Sequence, residues 1–235
     1  MSMAMFPIRA RRMVLGLAVA AAAVAGWGSM ARSEAGAVSE ANLDAPALLH
    51  KVAGFMYTVR ALDVHGHVHA LGSGVQVRGL GIISSLHVIE GASVVQVERA
   101  GVRQRAAVVR IDRSQDICLL LAGEIPTEGV ERGTEVQPGQ RVYAVGSPEG
   151  LSLIISEGLL SGVRQVLGSA MLVFSAPISE GSSGGGLFDA SGHLLGVTTA
   201  QIANGDDLGL AVPVSQIAPL STSDGKRFRA HTAPL

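Results

Sequence analysis

The chain has 235 residues, 48% of them hydrophobic, 3% aromatic and 30 of them glycine, a mixture that suits a globular protein of short Val/Ile/Leu strands joined by glycine turns. Lys+Arg 18 against Asp+Glu 19 leaves a net charge of -1, which excludes the basic footprint of a nucleic-acid binder. A single cysteine excludes an internal disulfide framework.

Arg9, Arg11 and Arg12 precede the apolar run MVLGLAVAAAAVAGW, and small-residue sites follow at Ser29-Met30-Ala31 and Ser33-Glu34-Ala35. This is the order of a secretory signal peptide, assigned to residues 1–35. The run is short for a membrane span. The expectation is therefore export, to the periplasm or beyond, with membrane attachment only if the segment stays uncleaved.

Residues 36–46 read as a flexible lead-in that runs into DAPALLHKV, a short helix with Asp44 as N-cap and Pro46 in its first turn. Strands follow at MYTVRAL, GVQVRG, GIISSLHVI, SVVQVER, RAAVVRI and ICLLLA, which together form an N-terminal β-barrel over residues 47–122. Cys118, inside ICLLL, reads as a small buried hydrophobe. A looser stretch rich in Gly, Glu and Pro links the halves over 123–138. A second series, RVYAVG, LSLIISEGLLSGV, AMLVFSAPI, GGLFD, HLLGVTTA and LGLAVPV, makes a C-terminal β-barrel over 139–219, and 220–235 is a disordered tail. The fold class is all-β, two small barrels with a cleft between them.

The stretch EGSSGGGLF lies between two apolar strand patterns, so a flexible linker does not fit. A serine nucleophile needs backbone N–H groups aimed at the oxygen that becomes charged, and glycine permits the dihedrals that make two amides converge. Ser183, directly before Gly184-Gly185, is the nucleophile candidate, with the N–H groups of Gly181 and Ser183 as the oxyanion hole; Ser182 is a turn residue. The same letters match the G-x-S-x-G elbow of α/β-hydrolases, but that motif needs a helix after the serine and the base last in the chain. Here a strand-turn-strand pattern follows.

A serine needs a base, and the base an orienting acid. His50 falls in the first helix. His65, His67 and His69 cluster in DVHGHVHALG, either a solvated hairpin tip or a weak metal site; no metal is assigned to it. His87 closes the buried strand GIISSLHVI. Asp116 heads an apolar run, where a carboxylate is costly unless hydrogen-bonded, and the His87 ring would supply the bond. Asp112 is the competitor and is expected to face solvent.

The order His87, Asp116, Ser183 is that of the two-barrel serine proteases. The blocks GSGVQV…GIISSLHVIEGA, DICLLL, VGSPEGLSLIISEGLLSGV, SAPISEGSSGGGLFDASGHLLGVTTA and GLAVPV, in that order from roughly Leu48 to Ile217, resemble the HtrA/Deg-type trypsin-like serine proteases. The resemblance implies two perpendicular β-barrels, cofactor-free peptide hydrolysis through an acyl-enzyme, and unfolded polypeptides as substrates. It further implies an edge strand at Val197, Thr198 and Thr199 that pairs with the substrate backbone, and a preference for small aliphatic side chains. Leu86, Glu180 and Gly186 depart from the family pattern, and the extra glycine is expected to loosen the oxyanion loop. The segment VRQVLGSAM is shorter than the usual regulatory loop and no PDZ domain follows, so neither trimer assembly nor PDZ gating is carried over. Two other readings remain open: a protease-like module that binds exposed strands without cutting them, and an esterase on the same fold.

Overall fold

The computed structural model describes residues 42–124, 126–147, 152–166, 168–201 and 208–217. The expected signal peptide (1–35), the first part of the lead-in and the expected tail (220–235) lie outside them. The first helix forms where the capping signals put it. α1 (Ala45–Val52) is capped by the Asp44 carboxylate, which accepts the Ala47 N–H at 3.0 Å, and it buries Leu48 and Val52.

Seven strands follow: β1 (Met56–Leu62), β2 (Val68–Val77), β3 (Gly81–Ser85), β4 (Val94–Arg99), β5 (Val102–Arg105), β6 (Ala107–Asp112) and β7 (Ile117–Leu121). They lie side by side in the order β5-β4-β1-β2-β3-β7-β6. The two end strands, β5 and β6, are consecutive in the chain with only Ala106 between them. The sheet must therefore curl enough to bring its two end strands near each other, a half-barrel whose edges no ladder joins among the described residues. The second set is a closed barrel in the order β10-β13-β12-β11-β8-β9. Its strands are β8 (Arg141–Gly146), β9 (Ile154–Val166), β10 (Ser169–Phe174), β11 (Gly186–Asp189), β12 (Leu194–Gln201) and β13 (Gly209–Pro213).

Strand alternation divides the apolar residues into three layers. One face of the first sheet buries Val59, Ile82, Val97, Cys118 and Leu120 together. One face of the closed barrel buries Val142, Leu172, Phe174, Leu187 and Leu195. The opposite faces of the same strands meet in a shared layer that includes Ile83, Ile117 and Leu119 from the first set and Tyr143, Val173, Val197 and Val212 from the second. Because β7 is covered on both sides, it reads as an unbroken apolar run, and β3, equally buried, places Ile82 and Ile83 side by side before Ser84 and Ser85. Cys118 belongs to the first layer; its burial pushes the thiol pKa up to about 12.

The linker is less loose than its composition implies. Val130 exchanges backbone hydrogen bonds with Gln76 and Arg78 of the first sheet, and the Leu194 N–H of β12 donates to the Glu131 carbonyl. Gly129 is required there, because a Cβ would lie 2.7 Å from the Val77 carbonyl carbon. Extended chain bonded to both sheets thus occupies the seam.

Candidate active site

His87 does not end a strand. β3 stops at Ser85, and His87 stands in α2 (Leu86–Ile89), a single helical turn. Asp116 lies in the turn between β6 and β7 with φ +55°, a left-handed backbone that few non-glycine residues adopt. Two contacts hold it there. The Asp116 carbonyl accepts the Leu86 N–H at 2.9 Å. Asp112, expected to face solvent, is instead partly buried and caps the turn, accepting the N–H groups of Ser114 and Gln115 and the Ser114 hydroxyl.

The Asp116 carboxylate receives three donors. Its Oδ1 accepts the His87 backbone N–H at 2.9 Å, and its Oδ2 accepts both His87 Nδ1 and Thr199 Oγ1 at 2.6 Å. An ionised carboxylate only accepts, so the ring proton sits on Nδ1 and the neutral imidazole keeps its lone pair on Nε2. The bond to Asp116 raises the His87 pKa above its ordinary value against an opposing effect of burial. Burial acts most strongly on Asp116 and pushes it up, yet the bonds from the His87 ring, Thr199 and the His87 N–H together bring its pKa below the ordinary carboxylate value.

The serine loop joins β10 to β11. Ser182 is turned inward, 9% exposed, and its hydroxyl accepts the Ser179 N–H at 3.4 Å. Ser183 is the more open of the two; its Oγ donates to the Thr199 carbonyl at 3.0 Å. Among the described residues no hydrogen bond joins Ser183 to His87, so an approach of Oγ to Nε2 requires a rotation about χ1. The loop amides divide cleanly. Those of Ser182, Gly184 and Gly185 donate to the carbonyls of Ser179, Thr198 and Ser182, whereas those of Gly181 and Ser183 have no acceptor among the described residues.

Each of the three consecutive glycines answers to a different neighbour. Gly184 has φ +85°, and a Cβ there would strike the Ser73 carbonyl and the Ser84 hydroxyl on the opposing sheet. A Cβ on Gly185 would lie 2.5 Å from the Val145 carbonyl. Gly186 does not loosen the loop: it is the first residue of β11, paired with Val145 and Val197, and the Phe188 ring fills the space of its side chain.

The edge-strand expectation fails for two of its three residues. Val197 lies inside the closed barrel between Gly186 and Val212, fully buried. Thr198 is equally buried; its N–H donates to Gly185, its carbonyl accepts Gly184, and its hydroxyl donates to Ser182. Thr199 falls at the bulge where β12 breaks register with β13. Its hydroxyl on Asp116 is a role that sequence reasoning missed. The available signal was a threonine at the end of a barrel strand, and nothing local says what it reaches. Beside the loop lies a pocket of about 200 Å³ lined by Ala144, Val145, Ile154, Pro177, Ile178 and Ser182, with no acidic residue in its wall among the described residues.

The histidine cluster resolves into a hairpin turn. The Asp63 carboxylate accepts the N–H groups of His65 and His67, while His69 bonds the Glu90 carbonyl. Among the described residues no three His, Cys, Asp or Glu gather as metal ligands.

The family model "Trypsin-like peptidase domain" matches residues 72–197, more than half of the chain. The chain is 32% identical over 185 residues to the "Magnetosome formation protease MamE" of Paramagnetospirillum magneticum, covering 67% of this chain and 25% of that one. It is 28% identical over 177 residues to a "Probable periplasmic serine endoprotease DegP-like" of Buchnera aphidicola, covering 69% and 38%. It thus spans roughly a quarter to two-fifths of the length of the curated relatives it matches. Among solved structures, the active form of the Rv3671c protease from M. tuberculosis superimposes with a TM-score of 0.70 at 20% identity, covering 79% of this chain and 88% of that one. The serine endoprotease from Yersinia pestis gives 0.65 at 25% identity, covering 75% and 66%. The chain belongs to the trypsin-like peptidase family, among its HtrA/Deg-type serine proteases.

Proposed function

We propose that the chain is an exported serine endopeptidase acting on unfolded polypeptides, with His87 as general base, Asp116 as orienting acid and Ser183 as nucleophile, residues 47–122 and 139–219 forming its two halves. The observation that carries this reading is the coincidence of the His87–Asp116 bond at 2.6 Å with a serine loop in which two amides have no acceptor among the described residues. His87 Nε2 takes the Ser183 proton as Oγ attacks the scissile carbonyl carbon. The carbonyl oxygen gains the negative charge and is met by the N–H groups of Gly181 and Ser183. The imidazolium, stabilised by Asp116, returns the proton to the leaving amine as the C–N bond breaks. Water then repeats the sequence on the acyl-enzyme and releases the acid.

The apolar pocket beside the loop supports small aliphatic side chains over cations. Export is supported by the N-terminal arginine–apolar–small-residue pattern and by the word "periplasmic" in the name of the DegP-like relatives. One observation favours the second reading, a strand-binding module without catalysis: the Ser183 hydroxyl rests on the Thr199 carbonyl rather than on His87.

Labelling with a fluorophosphonate separates the two. The wild type and Ser182→Ala are expected to label, and Ser183→Ala is expected to lose both labelling and turnover, the latter by on the order of 10⁴-fold or more. A folded wild type that binds unfolded casein but neither labels nor cleaves it would establish the binding module instead.

A further inference from the structure

Seven of the buried polar residues, Thr58, Ser73, Ser84, Ser85, Ser147, Ser182 and Thr198, lie along the contact between the first sheet and the serine loop of the second barrel. Hydroxyls in such a place are costly unless paired. Here each is paired, several of them through more than one group. Ser73, fully buried on β2, uses every polar group it has. Its N–H donates to the Ser183 carbonyl at 2.8 Å, and its carbonyl accepts the Ser84 hydroxyl at 2.7 Å. Its own hydroxyl donates to the Gly181 carbonyl at 2.7 Å and accepts the Ser147 N–H at 2.8 Å.

The two loop residues it grips, Gly181 and Ser183, are the two whose amides have no acceptor among the described residues. The Gly181 carbonyl shares its flat peptide group with the Ser182 N–H, so holding it anchors the Gly181 Cα and leaves the Gly181 N–H to swing only through that residue's φ and ψ. Gly181 has φ +82°, so the chain there has left-handed alternatives that only an outside contact can select. Ser73 supplies that contact from the sheet that also carries His87, on the same β2–β3 ladder that leads to α2. The glycine before it fits this role. A Cβ on Gly72 would collide with Val88 and come within 3.0 Å of the Ser183 carbonyl, which would push the loop away.

We infer that Ser73 is a positioning residue for the oxyanion hole, its hydroxyl on the Gly181 carbonyl and its N–H on the Ser183 carbonyl holding both amides at the distance from His87 that the tetrahedral intermediate requires. The inference rests on the peptidase reading above. It makes the oxyanion hole a joint product of both sheets, since the amides come from one and their orientation from the other.

The test is Ser73→Ala in the full chain, assayed on a valine-ended peptide p-nitroanilide and on the matching peptide boronic acid. Thr58→Val serves as the control, since it removes a buried hydroxyl that touches Ser147 but not the loop. For Ser73→Ala the expected result is a kcat lower by about 10- to 100-fold, somewhat less than deletion of an oxyanion donor, with boronate affinity falling in step. KM and the pH dependence of kcat/KM should stay close to wild type, because the His87–Asp116 pair is untouched. Thr58→Val should keep its kcat.

A Ser73→Ala enzyme with wild-type kcat, or a loss shared equally by Thr58→Val, would overturn the inference while leaving the peptidase reading intact. A wild type that neither turns over nor binds the boronate would overturn both. If Ser73→Ala does not fold, the crystal structure of the wild-type boronate complex decides. Gly181 O still on the Ser73 hydroxyl, with both amides on the boronate oxygen, supports the inference, and a Gly181 carbonyl swung away from Ser73 refutes it.

Discussion

The three donors on Asp116 act in opposite senses on stability and on turnover. His87 has a raised pKa, so its contribution to stability is fully present below the ordinary imidazole value and is lost as pH rises through the raised one. Asp116 has a lowered pKa, so its contribution is present above the ordinary carboxylate value and is lost as pH falls through the lowered one. The imidazolium–carboxylate pair therefore supports the fold in mildly acid solution. With His87 as the proposed general base, turnover is expected to need the neutral ring and to rise across the same upper limit. Asp116→Asn is expected to lower kcat on the order of 10⁴-fold. Its deficit in Tm against wild type should be widest in mildly acid solution and should shrink above the imidazole range, as melting curves across that range will check. That His87 meets Asp116, and that Ser183 is more open than Ser182, was readable from the sequence because each stands where its residue type is chemically anomalous: a histidine and a carboxylate at the ends of apolar runs, a serine among glycines. Thr199 and Ser73 were not, because their partners lie 83 and 108 residues away in the chain and only the folded seam brings them together.

At the level of the elements, the serine loop is a shape fitted to a neighbouring backbone. Gly184→Ala places a Cβ against the Ser73 carbonyl in a left-handed conformation, at about 1–2 kcal/mol for the backbone and about 1–3 kcal/mol for the overlap. A fall in Tm of roughly 5–10 °C is expected, with loss of fluorophosphonate labelling. Gly79→Ala is the comparison: it has φ +68° but open space around it, so it should lose some stability and keep full labelling. The same principle explains what sequence patterning could show. A strand covered on both faces, such as β7, announces itself as an apolar run, and β1 begins and ends where its pattern does. β5, with the sequence VRQR and all four residues exposed, carries no burial signal at all. α2 is too short for a helical period to register, so His87 read as the end of a strand.

The two sheets share one apolar layer, and the linker is bonded to both. Neither half buries its outer strand faces alone; Tyr143 and Ile83 lie in the same cluster. Unfolding by urea is accordingly expected in a single step, with tyrosine fluorescence and far-ultraviolet circular dichroism superimposing. Two separated transitions would mean that the halves are independent and that the shared layer contributes little. The paired halves were readable from the loose centre of the chain, but the shared layer was not, since a strand pattern does not say what covers its second face.

Cys118 carries a consequence for how the molecule ages. In the native state its thiol is out of reach and almost wholly protonated, so oxidants and alkylating agents find nothing to attack. Once a molecule opens, the same sulfur becomes free to join a second opened copy through a disulfide, and that copy is then withheld from refolding. In oxidising surroundings each excursion from the native state thus has a chance of becoming permanent. The working lifetime of a population is then governed by the frequency of opening rather than by the depth of the folding well.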